Sequence, residues 1–431
     1  MRFTALTRVV ARVAIVLLPG LAVACGPRGP VSHNPAEPAM GAAIPAAAAG
    51  AVSSETGQPP ASPVRSAASP APPPDPVALA VRQSPEVQAA LDSLSAKIEA
   101  ERQRRGVAGM SVAVVYDQSL IWSKGFGVAN VETGEPAGPR TLYRVGSITK
   151  LFTDTMMMQL RDAGKIQLDD PLVKYLPELQ ISSRYGANQP TLRELASHTS
   201  GLPREAPLNY WREREFPTED ELIASLRNSV LVGPPGGVYQ YSNLGVALEG
   251  IAVERAAGEP YIKYVTERIL NPLGMTDSGF VLTDAVRQRL ALGSTLASTQ
   301  AGQERLPDFG ALAPAAELYT SVDDIAKFMS LQFRDGDSQD VLGGPSLREM
   351  HSPESRGGPS DFAIGWEFGS LAGHGTIGHP GIVYGFTTQI TLIPDSKLGV
   401  AVFTNGRTDP AGIANMALAS LVAPVRSAAA R

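Results

Sequence analysis

The chain has 431 residues, of which 43% are hydrophobic and 18% are charged, so it can form one large globular domain or two ordinary ones. Its formal net charge is -5 at pH 7, and removing the three arginines of the first two dozen residues leaves about -8. An acidic body of this kind lacks the basic surface that attracts phosphate backbones. The composition therefore excludes a typical nucleic-acid-binding protein.

The first 25 residues, "MRFTALTRVVARVAIVLLPGLAVAC", have the features of an export signal. Basic residues come first, an apolar run follows, and small residues lead to Cys25. The apolar run is short for a transmembrane helix. We therefore predict that residues 1–24 are a signal peptide and that the protein is exported to the periplasm or another part of the cell envelope.

Cys25 is the only cysteine, so no intramolecular disulfide can form. Its position after "LAVA" resembles a lipoprotein processing site, where lipidation of the cysteine would anchor the protein to a membrane. Ala22 stands where such sites usually carry Leu, Val or Ile. Lipidation of Cys25 and ordinary signal cleavage therefore both remain open, and the sequence does not identify the membrane.

Residues 25–84 are rich in Pro, Ala and Ser, a composition that buries too little apolar surface to offset chain entropy. We predict a disordered tether there. A helix should follow, with Ser84 as its cap, Pro85 at its first position and Gly106 after its end. Apolar residues recur at helical spacing between them: Val87, Leu91, Leu94 and Ile98. We therefore place the folded domain at residues 85–425.

Two β-hairpins are predicted near the ends of this domain. The first, "GMSVAVVYDQSLIWSKGFGVAN", has its turn around Asp117. The second comprises strands at 386–393 and 398–404, and the helix "GIANMALASLVAP" follows. Between about 165 and 309 the patterns are mostly helical, with Pro and Gly turns. The pattern favours an α+β fold whose antiparallel sheet is built from both chain ends around a helical insert.

The stretch "YRVGSITKLFTD" places Ser147 three residues before Lys150 at the start of a helical pattern. Residues at this spacing lie on one helix face, so the hydroxyl and the amine can meet. A buried lysine loses its proton more readily, which would give the serine a nearby base and make it a nucleophile. The same pair also occurs by chance on solvated helices, so the spacing alone is weak support for catalysis.

Further motifs follow in chain order: "LDDPLVKYLPEL", "TLRELASHTSGLP", "YQYSNLGVALEGI", "ILNPLGM", "LYTSVDDIAKFM", "GHPGIVYGF" and "IPDSKLGVAVFTN". Together with "LYRVGSITKLFT" they resemble the serine β-lactamase-related family, penicillin-recognising serine hydrolases that include class C β-lactamase-like enzymes, esterases and D-aminopeptidase-like members. The resemblance extends over residues 85–425 and implies the β-lactamase/transpeptidase-like fold.

The resemblance also implies roles for individual residues. Ser147 would attack a carbonyl carbon, Lys150 would assist its deprotonation, and Tyr241 would pass the proton to the leaving group. Asn243 would bind Lys150 or the substrate amide, although a helix cap is an alternative role for it. The backbone N–H groups of Ser147 and Ile382 would form the oxyanion hole. His198 would be structural.

The third motif departs from the usual Lys-Thr-Gly of lactamases, because His379, Pro380 and Gly381 stand there. The resemblance implies that His379 and Gly381 border the substrate. An unperturbed histidine is mostly neutral at pH 7, so we expect His379 to hold a substrate carboxylate poorly and to gain charge below about pH 6.5. This departure disfavours a dedicated β-lactamase.

The sequence thus predicts a serine hydrolase that forms an acyl-enzyme with a small-molecule or peptide substrate. Esterase, D-amino-acid peptidase or amidase, and weak β-lactamase activity remain open, as does the oligomeric state. The alternative is a non-catalytic envelope module that binds peptidoglycan peptides or β-lactams. Neither a cofactor nor a metal site is predicted. Segments 205–216 and 293–309 are expected to form the pocket walls.

Overall fold

The computed structural model describes residues 75–431 except 187–188, 294–305, 337–339 and 355–360. The predicted signal peptide, Cys25 and residues 26–74 of the predicted tether lie outside the described residues.

A six-stranded antiparallel sheet has the order β2-β1-β8-β7-β6-β5. Strand β1 pairs with β8 along its length, with Val112 opposite Val402, so both chain ends meet in the centre of the sheet. This arrangement confirms the predicted α+β fold. The strands are β1 Gly109–Tyr116, β2 Ser119–Gly127, β3 Tyr143–Arg144, β4 Tyr319–Thr320, β5 Glu367–Leu371, β6 His374–Val383, β7 Phe386–Ile393 and β8 Leu398–Thr404, of which β3 and β4 form a separate ribbon.

Thirteen α-helices are present in the described part of the chain. They are α1 Pro76–Gln83, α2 Pro85–Arg105, α3 Lys150–Asp162, α4 Leu192–Ala196, α5 Tyr210–Glu213, α6 Glu219–Ser225, α7 Asn243–Ala257, α8 Tyr261–Val265, α9 Asp284–Arg289, α10 Ala313–Ala316, α11 Val322–Leu331, α12 Gly344–Met350 and α13 Pro410–Ala429. The capping box predicted at Thr191 and Glu194 starts α4.

The sheet is covered on both faces, so its central strands β1, β7 and β8 are buried almost throughout. Alternate residues of a strand point to opposite faces. In β1, Val112 and Val114 join a core with α1, α2 and α13, whereas Ala113 and Val115 join the larger core that contains α3 and α7. The larger core also surrounds the candidate site.

The folded region begins earlier than residue 85. Helix α1 lies within the segment predicted as tether, and its Ala78 and Val81 are buried against α13 and β2. Asp75 caps this helix by accepting from the backbone N–H of Val77 at 3.0 Å. Ser84 makes no side-chain capping bond and instead joins α1 to α2 in an extended conformation. The boundary predicted at residue 85 is therefore too late.

Helix α13 extends beyond the predicted boundary at 425. Its 20 residues and mean hydropathy of 1.2 would allow a membrane span by length and composition alone. Its apolar face, however, packs on β7, β8 and α2 and includes the fully buried Leu418 and Leu421. We describe it as a helix of the core.

The packing of α1 predicts that Val81 contributes to stability. Val81→Ala removes buried methyl groups and should lower the free energy of unfolding by about 2 kcal/mol, measured by urea denaturation. Val77→Ala in the same helix is the matched control, because Val77 is 43% exposed. Equal effects of the two substitutions would mean that α1 does not pack on the domain.

Candidate active site

Ser147 lies in a 3₁₀ turn, Gly146–Thr149, immediately before α3. Side chains at i and i+3 eclipse in such a turn, so Ser147 and Lys150 align as the spacing predicted. The Lys150 Nζ donates to Ser147 Oγ at 3.2 Å. Thr149 holds the turn in place. Its Oγ1 donates to the carbonyl of Gly146 in the same turn at 2.6 Å and accepts from the backbone N–H of Leu318, outside the turn, at 3.1 Å.

The Lys150 side chain is fully enclosed. Its Nζ also donates to Asn243 Oδ1 at 2.8 Å and to the Ala315 carbonyl at 2.7 Å. Burial lowers the pKa of Lys150 to about 7, an effect that nearby carboxylates oppose and Arg204 reinforces. A substantial fraction of the amine is therefore neutral, and able to accept a proton, at neutral pH.

Tyr241 is hydrogen-bonded to Ser147, and Nζ of Lys150 lies 5.1 Å from its ring centroid. The guanidinium of Arg204 lies over the same ring at 4.8 Å. Burial raises the pKa of Tyr241, whereas the hydrogen bond from Ser147 and the charge of Arg204 lower it. The free phenol is therefore neutral, a state that suits proton donation better than initial proton abstraction.

His198 supports Tyr241. The two ring centroids are 4.3 Å apart, and His198 Nδ1 accepts from the backbone N–H of Ser242 at 3.3 Å. Burial lowers the pKa of His198 well below its usual range, so the ring is neutral. These contacts agree with the structural role that the resemblance implies.

Asn243 bonds to the lysine. It is not the cap of α7, because Ser242 caps this helix: Ser242 Oγ accepts from the backbone N–H of Gly245 at 2.8 Å. The Asn243 amide donates to Glu205 Oε1 at 2.6 Å, and the hydroxyl of Tyr210 donates to Glu205 Oε2 at 2.8 Å. Because its amide N–H is held by Glu205, Asn243 turns its carbonyl oxygen towards Lys150.

His379 is placed differently from our expectation. Its side chain is fully buried on β6, and Nδ1 lies 2.7 Å from the carbonyl of Pro380, so Nδ1 carries the proton. Burial lowers the pKa of His379 to about 3, and the charge of Lys150 adds to the effect. The expectation that His379 gains charge below about pH 6.5 is wrong, because its burial could not be read from the motif.

Gly381 and Ile382 bring β6 against the 3₁₀ turn that carries Ser147. The position that a Cβ on Gly381 would occupy is 1.9 Å from the Val145 carbonyl oxygen. The corresponding position on Gly146 is 2.9 Å from the backbone nitrogen of Ile382. The backbone of Ile382 therefore borders the turn that carries Ser147, and the Ile382 side chain is 71% exposed.

A cluster of aromatic side chains, Trp211, Phe216, Phe309 and Tyr384, borders the Ile382 region and joins the helical insert to the β6–β7 turn. The Tyr384 hydroxyl donates to the Trp211 carbonyl at 3.3 Å, and the rings of Phe216 and Phe309 stack at 4.4 Å. The ring centroids of Trp211 and Tyr384 lie 6.0 Å apart. Most of the second predicted wall segment, residues 294–305, lies outside the described residues.

Sequence reasoning missed several charged residues around Lys150. Arg204 adjoins the motif "ASHTSGLP", and Glu205 begins the predicted wall segment 205–216, but neither pattern indicated their contacts with the residues around Lys150. Asp154 and Glu249 did give a signal, because each is a charged residue within an apolar helical stretch. Among the described residues, no group of three or more His, Cys, Asp or Glu side chains is placed to hold a metal ion.

Comparison with known sequences gives a consistent result. A family model described as Beta-lactamase matches residues 94–423. The chain is 34% identical over 330 residues to "Beta-lactamase-like protein 2" of Dictyostelium discoideum. The aligned region covers 74% of this chain and 60% of that protein. The chain thus spans about 60% of the length of this relative.

Two solved structures are also similar. The octameric penicillin-binding protein homologue of Pyrococcus abyssi has a TM-score of 0.68 at 30% identity, with 77% of each chain covered. The β-lactamase/D-alanine carboxypeptidase of Yersinia pestis, complexed with citrate, has a TM-score of 0.65 at 27% identity, with 81% of this chain and 98% of that one covered.

The close approach at Gly381 generates a prediction. Gly381→Ala would place a methyl group against the Val145 carbonyl and should lower the free energy of unfolding by about 1 to 3 kcal/mol, as overpacking does. Gly138→Ala is the control, since a Cβ there meets nothing within 4 Å. Urea denaturation of both variants tests this, and an unchanged Gly381→Ala midpoint would contradict the crossing of β6 over the turn.

Proposed function

The chain belongs to the β-lactamase family, whose members are broadly serine hydrolases, and we propose that it hydrolyses ester or amide substrates through an acyl-enzyme on Ser147. One observation carries this proposal. Nζ of Lys150 is a buried amine with a pKa lowered to about 7, and it lies 3.2 Å from Ser147 Oγ, within reach of the hydroxyl proton when the amine is neutral. A serine beside such a base is an activated nucleophile.

In the acylation step that we propose, neutral Lys150 accepts the Ser147 proton while Oγ attacks the substrate carbonyl carbon. The backbone N–H groups of Ser147 and Ile382 would stabilise the resulting oxyanion. Tyr241 then donates its hydroxyl proton to the leaving oxygen or nitrogen, and Lys150 returns a proton to Tyr241. Water repeats the sequence in deacylation and releases the acid.

Asn243 and Gly381 have supporting roles in this proposal. Asn243 orients Lys150 through its carbonyl oxygen and is itself fixed by Glu205. Gly381 allows β6 to pass close to the nucleophile turn. A substrate acyl group would therefore lie between Ser147 and the exposed edge of β6 near Ile382.

The second candidate function is a non-catalytic module that binds peptidoglycan peptides or β-lactams in the same cleft. A binding module has no need of a buried amine next to a serine hydroxyl, and burying that amine lowers stability unless it is compensated. The arrangement around Lys150 therefore favours the enzyme.

Within the enzyme class, we propose an esterase or a D-amino-acid peptidase before a β-lactamase. A carboxylate bound by a lysine gains a charge-assisted hydrogen bond, whereas His379 is buried and neutral. We also propose that the protein acts in the cell envelope after export, with Cys25 as a candidate lipid anchor. Palmitate labelling of the parent and of Cys25→Ser would distinguish anchoring from simple secretion.

The proposed nucleophile can be tested directly. Ser147→Ala should abolish hydrolysis of p-nitrophenyl butyrate and covalent labelling by a fluorophosphonate, while the urea midpoint stays near that of the parent. Intact-protein mass spectrometry after incubation with the probe measures the adduct. Ser330→Ala is the control, because Ser330 lies on α11, a helix that supplies none of the site residues described above. Turnover by Ser147→Ala above the buffer rate would exclude Ser147 as the nucleophile.

The neutral state of His379 predicts the substrate preference and its pH dependence. Loss of a charge-assisted bond costs roughly 1 to 2 kcal/mol, so kcat/KM for nitrocefin should be about 5-fold to 30-fold lower than a lysine at position 379 would give, while the value for p-nitrophenyl butyrate is unaffected. With a pKa of about 3, His379 stays neutral from pH 5 to pH 8. The ratio of the two kcat/KM values should therefore be constant there. A ratio that moves towards nitrocefin at low pH would contradict the burial of His379.

A further inference from the structure

Two carboxyl side chains lie on the core side of Lys150, and the mechanism above does not use them. Asp154 is four residues after Lys150 on α3, so the two share a helix face. Glu249 lies on α7, the helix that also supplies Asn243 and packs on α3. Asp154 is 1% exposed and Glu249 is 0% exposed. Side chains of this type are almost never fully buried without a partner.

The hydrogen bonding of this pair shows how it is accommodated. Within the described part of the chain, no N–H or O–H group outside this pair donates to any of the four carboxyl oxygens. The two carboxyl groups interact with each other. Two ionised carboxylates cannot hydrogen-bond to each other, so the pair must hold at least one proton, which one group donates to the other.

We propose that Asp154 and Glu249 form a proton-sharing pair that compensates the charge of Lys150 and so sets the pH at which this lysine becomes a base. With one proton on the pair, its single negative charge balances the ammonium group. Transfer of the ammonium proton to the remaining carboxylate leaves a neutral amine and two carboxylic acids. Both arrangements have no net charge, and the proton count is conserved.

The electrostatics of the site agree with this role. Burial raises the pKa of Asp154 to about 8 and that of Glu249 well above its usual range, while it lowers that of Lys150 to about 7. The proton affinities of an amine and of a carboxylate, ordinarily far apart, thus become similar. The lysine can then lose its proton without leaving a net charge in the core, which would be costly.

Other titratable or charged groups also act on the three side chains. Those around Lys150 are Arg204, Glu205, Tyr241, His198 and His379, and Tyr261 on α8 faces the pair. Burial keeps the two histidines neutral, and it raises the pKa of both tyrosines. Glu205 has the largest charge effect on Lys150, but 28% of its side chain is exposed. Asp154 and Glu249 are therefore the fully buried anionic partners of Lys150, whereas Arg204 is on the cleft side and 63% exposed. Asp154 and Glu249 act through Lys150 and are positioning residues.

The sign of the pH effect follows from these charges. In the parent, the acid limb of kcat/KM should have a midpoint near pH 7, because protonated Lys150 cannot accept the Ser147 proton. Glu205 raises the pKa of Lys150 most, and the carboxyl pair raises it further. The neutral double variant Asp154→Asn/Glu249→Gln should therefore move this midpoint to lower pH, by about one unit or more.

The experiment compares pH profiles of p-nitrophenyl butyrate hydrolysis for the parent, the double variant and Glu267→Gln. Glu267 is exposed, and its substitution should leave the midpoint unchanged. A double variant that folds and keeps the parent midpoint would overturn the proposal. A purely structural role of the pair would alter stability or the plateau rate and leave the midpoint in place.

A second measurement needs neither turnover nor the double variant. Infrared spectroscopy in D₂O should show a protonated carboxyl C=O band in the parent at pH 7, reduced in the single variants Asp154→Asn and Glu249→Gln. Absence of any such band that depends on these residues would overturn the proposal. Only the pH-profile test of this inference depends on the proposed function, because it needs turnover. If the parent hydrolyses no ester, the proposed function fails, while the band in Ser147→Ala still decides whether the pair shares a proton.

Discussion

The burial of the Lys150 amine is the constraint on which the rest of this site depends. A buried ammonium group is costly unless acceptors surround it, and three elements supply them. Ser147 comes from the turn before α3, Asn243 from the first turn of α7 and the Ala315 carbonyl from α10. The same burial lowers the pKa of the lysine to about 7, so one physical cause both holds the elements together and makes the amine able to accept a proton near neutral pH.

The sequence predicted the fold where periodicity was strong and failed where it was weak. Strands β7 and β8 have the predicted bounds, because apolar, β-branched runs flank a turn. Strand β5 and the start of β6 were not predicted, since "EFGSLAGHGTIG" is rich in glycine and only partly buried. Helix α1 was assigned to the tether because its surroundings are rich in Pro and Ala. Its packing on α13 involves residues far apart in the chain, which local patterns do not reveal.

The site was predictable to a similar extent. The motifs correctly identified side chains that meet around Lys150, because Ser147, Tyr241 and Asn243 are all in contact with it or with one another. The environment of His379 was not predictable, since whether a histidine is exposed or buried depends on the strands and helices packed around it. Similarly, Asp154 is visibly anomalous in its helix, but only the fold shows that Glu249 lies beside it.

The charges around the lysine are arranged asymmetrically between the core and the cleft. The carboxyl pair lies on the core side, whereas the guanidinium of Arg204 lies over Tyr241 with 63% of its side chain exposed. Arg204 has only a 3.6 Å contact with Glu205 among its ion pairs in the described residues. With His379 neutral and buried on β6, the exposed cation beside Tyr241 comes from the loop between α4 and α5. A loop at this place can vary in sequence without disturbing the sheet or the turn that carries Ser147.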